Sequence, residues 1–206
     1  MRLTEERIVP DNMDPMNGML LEHIARYHFA IYYCRGTVLD IASGAGYGTQ
    51  LIAKTCKDKV TQVIGADLSQ EAITYARGRY HHPLAYFRQG DALDDSFMDS
   101  LGQFDTILSF ETIEHVPDDR LFLEQLMKRL KPGGTLILST PFGRGRGQPS
   151  NDPFHVHQLT PGEFRNLFSP YPGTEFYYQR GVLIEPPREN MYHPIGIALY
   201  TKTSGR

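Results

Sequence analysis

The segment Val38-Leu39-Asp40-Ile41-Ala42-Ser43-Gly44-Ala45-Gly46-Tyr47-Gly48-Thr49 limits the folds open to this chain more than any other stretch. Val38, Leu39 and Ile41 make a short apolar run of the kind that ends a strand buried on both faces. Glycines crowd the next positions, and a helical pattern follows from about Gly48 to Cys56. A glycine turn between strand and helix leaves backbone N–H groups free and lets a ligand approach the main chain. In an open α/β sheet such a turn lies where ligands bind, beyond the carboxyl ends of the strands. A dinucleotide-binding turn reads G-x-G-x-x-G and faces a pyrophosphate. Here an acid, Asp40, stands inside the strand, and Ala42, Gly44 and Gly46 follow it. A carboxylate at that point repels a pyrophosphate and suits a cation.

The rest of the chain repeats the alternation. Val60–Leu68 reads as a second strand that ends in Asp67, about 20 residues past the turn, where Rossmann-like folds place a ribose-binding carboxylate. Ser69 is the natural N-cap of a helix over Gln70–Arg79. Leu84–Gln89 and Phe104–Phe110 read as the third and fourth strands. A helix over Leu121–Leu130 is stopped by Lys131-Pro132-Gly133-Gly134, and Thr135–Thr140 is the fifth strand. Thr160-Pro161 opens a short helix over Glu163–Phe168. Glu175–Gln179 and Ile195–Thr201 have no helix between them, which predicts an antiparallel pair. The expected architecture is a single domain over residues 1–206, a Rossmann-like doubly wound sheet of seven strands, mostly parallel with an antiparallel C-terminal strand.

Upstream, residues 1–17 are polar and carry Pro10 and Pro15, so they read as an arm. Residues 18–34 read as a helix with an apolar stripe of Leu20, Ile24, Tyr27, Phe29, Ile31 and Tyr32. His23, Arg26 and Tyr27 share one face of it. That face is either a packing surface or part of an N-terminal lid, residues 1–34, with Arg26 or Tyr27 touching a cofactor. A net charge of −3 gives no general attraction to nucleic acid or anionic membrane. Cys34 and Cys56 make no disulfide framework. No apolar run has the length of a membrane span and no signal pattern opens the chain, so a cytoplasmic enzyme is expected.

Four motifs in order, Asp40 to Gly46, Asp67, Gly90-Asp91-Ala92 and Leu130-Lys131-Pro132-Gly133-Gly134, resemble those of class I S-adenosylmethionine (SAM) methyltransferases. The usual first glycine of that family's turn is Ala42 here. Glu6-Arg7-Ile8-Val9-Pro10 and Glu22-His23-Ile24-Ala25-Arg26-Tyr27 also resemble a bacterial subgroup associated with small-molecule and glycan O-methylation. The resemblance implies that Ala42, Gly44 and Gly46 lie against the methionine part of SAM, with Asp40 near its ammonium. It implies that Asp67 and the adjoining Leu68 meet the ribose end and that Asp91 with Ala92 meets the adenine. Phe110 and Glu111 would flank the cofactor. Read without the resemblance, Gly90-Asp91 is ordinary turn chemistry.

The chemistry beyond the cofactor points to Phe110-Glu111-Thr112-Ile113-Glu114-His115-Val116. Methyl transfer to a hydroxyl needs an aligned nucleophile and a group to take its proton. Glu111, Glu114 and His115 stand at i, i+3 and i+4, so a helical turn would aim them one way. The same spacing also fits a capping and ion-pair cluster at a helix start. It is similar to that of ubiquinone-pathway O-methyltransferases and small-RNA terminal 2′-O-methyltransferases, in which two Glu and a His hold a divalent ion. The RNA enzymes add a later His, for which His155 is the candidate here; His157 would point the other way in an extended segment. The expected catalytic set is Glu111, Glu114, His115 and His155, the same four being the ligands if a divalent metal is bound. Residues 143–158 form a long loop with Arg144 and Arg146, either solvated or a substrate lid that meets an anionic acceptor. The reading favours a SAM-dependent O-methyltransferase acting on a small molecule or sugar. An RNA 2′-O-methyltransferase is the alternative, opposed by the absence of a basic tract, and a non-catalytic SAM-binding protein is the third.

Overall fold

A computed structural model describes residues 7–150, 152–188 and 190–203. Part of the N-terminal arm, including Glu6 of the subgroup motif, lies outside the described residues. The order of elements is α1 (Gly18–Ala30), β1 (Gly36–Ile41), α2 (Tyr47–Thr55), β2 (Val60–Asp67), α3 (Gln70–Arg79), β3 (Ala85–Gln89), α4 (Asp95–Leu101) and β4 (Phe104–Phe110). A 3₁₀ turn (Ile113–His115) leads into α5 (Asp119–Arg129) and β5 (Leu130–Pro141), and then come α6 (Pro161–Leu167), β6 (Glu175–Arg180), β7 (Leu183–Glu185) and β8 (Ile195–Thr201).

One sheet runs β3-β2-β1-β4-β5-β8-β6-β7. The pairs among β1 to β5 are parallel, whereas β8 is antiparallel to both β5 and β6. The strand order reverses between β1 and β4, and the carboxyl ends of these strands open the crevice that such a reversal creates. The sheet has eight strands, not seven. The additional one, β7, turns back on β6 through Gly181 and Val182, with Arg180 opposite Leu183. Three residues are too few to show a strand period, which hid β7 inside the proline-rich loop. The helix expected over 18–34 ends at Ala30. The short α4, capped by Asp94, carries no long apolar stripe and was not expected.

Alternate residues of the central strands feed two cores. Leu39, Ile107, Leu136 and Leu138 pack on one face with Phe122 and Leu126 of α5 and Phe164 of α6. Val38, Leu108 and Ile137 pack on the other with Tyr27 and Ala30 of α1 and Ile52 and Ala53 of α2. The contact of α1 with α2 is close. A Cβ at Gly48 would stand 1.9 Å from Cζ of Tyr27.

Gly48 therefore exists for Tyr27. In an open helix Gly→Ala gains about 1 kcal/mol; here Gly48→Ala should cost about 1–3 kcal/mol by overpacking. Urea denaturation of Gly48→Ala, alone and with Tyr27→Leu, checks this: the second change should restore part of the loss.

Candidate active site

The turn after β1 is built from left-handed residues. Ala42 (φ 56°), Gly44 (φ 54°) and Gly46 (φ 88°) all have positive φ. For Ala42 this is a strained backbone, held where the usual glycine is absent, and such strain collects at ligand sites. Asp40 lies beneath the turn with only 1% of its surface exposed. Its carboxylate accepts from Tyr27 Oη at 3.1 and 3.2 Å and from Thr49 Oγ1 at 2.6 Å. Burial pushes the Asp40 carboxyl up to about 7 against the pull of those two hydroxyls. Tyr27 is also buried, and its ring meets Phe110 edge-on at 5.0 Å.

Asp67, at the end of β2, accepts the Gly44 N–H at 2.8 Å on one oxygen and the Ser69 N–H at 2.8 Å on the other. It thus fastens the β1 turn to the start of α3. Leu68 beside it is 65% exposed, an apolar side chain left uncovered at the crevice. Beyond β3, Asp91 is exposed and accepts the Leu93 N–H at 2.8 Å, while Ala92 is half-buried. Gly90 keeps space for Phe97, whose ring would stand 2.2 Å from a Cβ.

At the end of β4, Glu111 has φ 50° and accepts from Ser139 Oγ at 3.2 Å. Arg26 reaches toward it from α1, with Nη2 3.9 Å from Glu111 Oε1. This arginine is 1% exposed; its Nη1 donates to Gln179 at 2.8 Å, and its Nε is buried without a hydrogen-bond partner. His23 is held well below its usual pKa by burial and by the nearby Arg26 charge.

The 3₁₀ turn then presents Glu114 and His115. Glu114 is 1% exposed, and its Oε2 accepts from Thr140 Oγ1 at 2.9 Å while Oε1 is buried without a partner. Burial first, and then the Glu111 charge, hold its carboxyl well above the usual carboxylate range. The buried site thus disfavours the charged form of Glu114. The Glu114 carbonyl accepts the Val156 N–H at 2.9 Å, which docks the distant His155 segment beside it. The His115 and His155 rings meet edge to face with centroids 4.9 Å apart. One ligand atom from each of Glu114, His115 and His155 lies within 4.8 Å of the others. Glu111 is not part of that group, since its carboxylate turns toward Ser139 and Arg26.

The loop over 143–158 is folded down. Arg146 pairs with Asp119 of α5, and its N–H donates to Glu163 of α6. Arg146 thus pairs within the protein though it is exposed, and Arg144 is exposed as well. His157 points to Asp119, with Nε2 3.6 Å from its carboxylate. Thr49, Ser139, Thr140 and Gln158 escaped the sequence analysis. Ser139-Thr140 carried one legible signal, hydroxyls at the carboxyl end of a parallel strand; Thr49 and Gln158 carried none.

Residues 39–138 match the family model of a methyltransferase domain. The chain is 33% identical over 170 residues to a probable S-adenosylmethionine-dependent methyltransferase of Mycolicibacterium smegmatis, covering 80% of this chain and 62% of that one. The chain therefore spans about three fifths of that curated relative's length. It is also 33% identical to a ubiquinone biosynthesis O-methyltransferase of Idiomarina loihiensis (50% of this chain, 41% of that one) and to phosphoethanolamine N-methyltransferase 2 of Caenorhabditis elegans (56% and 26%). Among solved structures, the methyltransferase of a Haloferax volcanii complex with the Trm112 methyltransferase activator superposes with a TM-score of 0.71 at 19% identity, covering 92% of this chain and 93% of that one. The chain shares its fold with that structure. Among the described residues no helix is long and apolar enough to cross a membrane.

The Asp40 geometry fixes a pH dependence. Its native pKa of about 7 stands above the ordinary 3.8, so between those values the folded state holds a proton that the unfolded chain releases. The stability that Asp40 contributes is full below about pH 4 and is lost as pH rises through about 7. Thermal denaturation of the ligand-free protein across this range should show a falling stability that Asp40→Asn flattens.

Proposed function

We propose that this protein is a SAM-dependent methyltransferase that transfers a methyl group to an oxygen of a small molecule or sugar. The observation that carries the reading is the convergence of Glu114, His115 and His155 after β4 and β5, beside a turn that Asp40 of β1 underlies and Asp67 of β2 fastens. The cofactor supplies a sulfonium-bound methyl group. Asp67, at the crevice mouth, holds the ribose hydroxyls, and Leu68 with Ala92 flanks the adenine while Asp91 accepts from its amino group. Ala42, Gly44 and Gly46 keep the turn low enough for the methionine part. Arg26 offers its unpartnered Nε edge to the cofactor's carboxylate. Asp40 and Tyr27 close the floor beneath, where a cationic ligand favours the ionised carboxylate.

On the acceptor side, His115 is the proton acceptor. Its Nδ1 donates to the Phe154 carbonyl at 3.1 Å, which leaves the Nε2 lone pair facing the crevice. As the new C–O bond forms and the C–S bond breaks, the hydroxyl proton passes to that Nε2. Glu114 and His155 hold the acceptor oxygen by hydrogen bonds. The ubiquinone-pathway relative is named as an O-methyltransferase, which supports the choice of oxygen. Two imidazoles and a carboxylate are also a donor set for a transition metal. Against that role stands the burial of Glu114, which disfavours its charged form. The net charge of −3 disfavours an RNA acceptor.

Two measurements test the assignment. Asp67→Ala should weaken SAM binding in calorimetry by about 1.5–3 kcal/mol, the worth of hydrogen bonds to a charged group; unchanged affinity in a folded variant rejects the ribose role. In an acceptor screen with labelled SAM, His115→Ala should lower turnover by roughly 10²–10⁴-fold while SAM affinity holds. Chelators should leave turnover unchanged, and a chelator-sensitive wild type would move the triad to metal chemistry. A protein that binds SAM yet labels no acceptor, with no salt-sensitive RNA binding, would be a cofactor-binding protein without transfer.

A further inference from the structure

The triad contains one residue pair that decides what it can bind. A metal site needs a lone pair from every ligand, and the nitrogen a histidine offers is set by the hydrogen bond at its other nitrogen. Gln158 makes that bond for His155, with Nε2 2.9 Å from Nδ1. An amide N–H can only donate, so Nδ1 of His155 accepts. A neutral imidazole that accepts at one nitrogen carries its proton on the other, which puts an N–H on Nε2. The Asp152 carboxylate, 4.0 Å from that Nε2, suits a proton there. Gln158 reaches this position because residue 143 is glycine: a Cβ there would stand 2.4 Å from Gln158 Cβ and 2.5 Å from its Oε1.

The facing ring has the opposite setting. Nδ1 of His115 lies 3.1 Å from the Phe154 carbonyl, an acceptor, so its proton sits on Nδ1 and its lone pair on Nε2, 3.9 Å from Glu114 Oε1. The two imidazoles thus present unlike edges, a donor from His155 and an acceptor from His115. That combination can hold a hydroxyl and take its proton. It cannot supply two lone pairs to one ion.

We propose that Gln158 is a positioning residue that fixes the tautomer of His155 and so commits Glu114, His115 and His155 to proton handling in place of metal binding. The inference rests on reading the triad as the acceptor-side face. Gln158→Glu puts an acceptor opposite Nδ1, which moves the proton there and frees Nε2 as a ligand. Gln158→Leu removes the bond and leaves the tautomer unset.

The test is ¹⁵N NMR of the ring nitrogens in the full chain, with His155 assigned by its loss in His155→Asn, followed by calorimetric titration with Co²⁺. In the wild type, His155 should carry its proton on Nε2, and Co²⁺ should bind weakly. In Gln158→Glu the proton should move to Nδ1, and Co²⁺ affinity should rise by about 10–100-fold, the range for an outer-shell partner of a metal-bound histidine. Gln158→Leu should show a mixed tautomer with little gain in affinity, which separates the donor–acceptor effect from a loss of packing. A wild type with the proton on Nδ1, or one that binds Co²⁺ as tightly as Gln158→Glu, overturns the inference. Neither readout depends on methyl transfer, so this inference and the proposed function fail separately.

Discussion

The carboxylate of Asp40, closed off from water beneath the glycine turn, is the interaction on which the rest of the structure depends. A buried acid must be neutralised or hydrogen-bonded. Tyr27 and Thr49 meet that need from two different helices. The bond from Tyr27 draws α1 onto the sheet, and the closeness of that approach explains the glycine at position 48. One side-chain position therefore fixes the site of the N-terminal helix, the start of α2 and the floor of the crevice. Asp67 does the same on the neighbouring strand by tying Gly44 to the cap of α3.

Much of this was legible in the chain. The alternation of apolar runs and helical stripes gave β1 to β5 in their observed order, because parallel strands buried on both faces are nearly continuous apolar segments. The antiparallel pairing of β6 and β8 followed from the lack of a helix between them. The eighth strand was not legible, since β7 has three residues and a register supplied by its partner. At the site, local spacing suggested that Glu111, Glu114 and His115 point together. The positive φ at Glu111 separates the first from the other two, and no pattern of residue types announces a left-handed backbone at a glutamate. Gln158 was invisible for another reason: its importance lies in a hydrogen bond to His155, and a glutamine in a loop carries no periodic or charge signal.

The two ends of the crevice differ in their physical character. At the turn after β1, the carboxylates of Asp40 and Asp67 are buried and held by hydrogen bonds. At the cluster of Glu114, His115 and His155, burial disfavours charge: it raises the Glu114 carboxyl and lowers the pKa of His155. A proton moved between such groups crosses a short distance in a low dielectric, where hydrogen bonds are stronger than in water.

Arg26 joins these ends to a third region. Through Gln179, which also donates to the Glu22 and Gly181 carbonyls, this single cation couples α1 to the antiparallel edge formed by β6 and β7. The N-terminal helix and the hairpin at the far edge of the sheet are thereby tied together. The seating of α1 thus depends on a residue 153 positions away in sequence. Loss of the Gln179 amide would leave a buried guanidinium short of a hydrogen-bond partner, so the place of the N-terminal helix and the composition of the far edge of the sheet cannot vary independently.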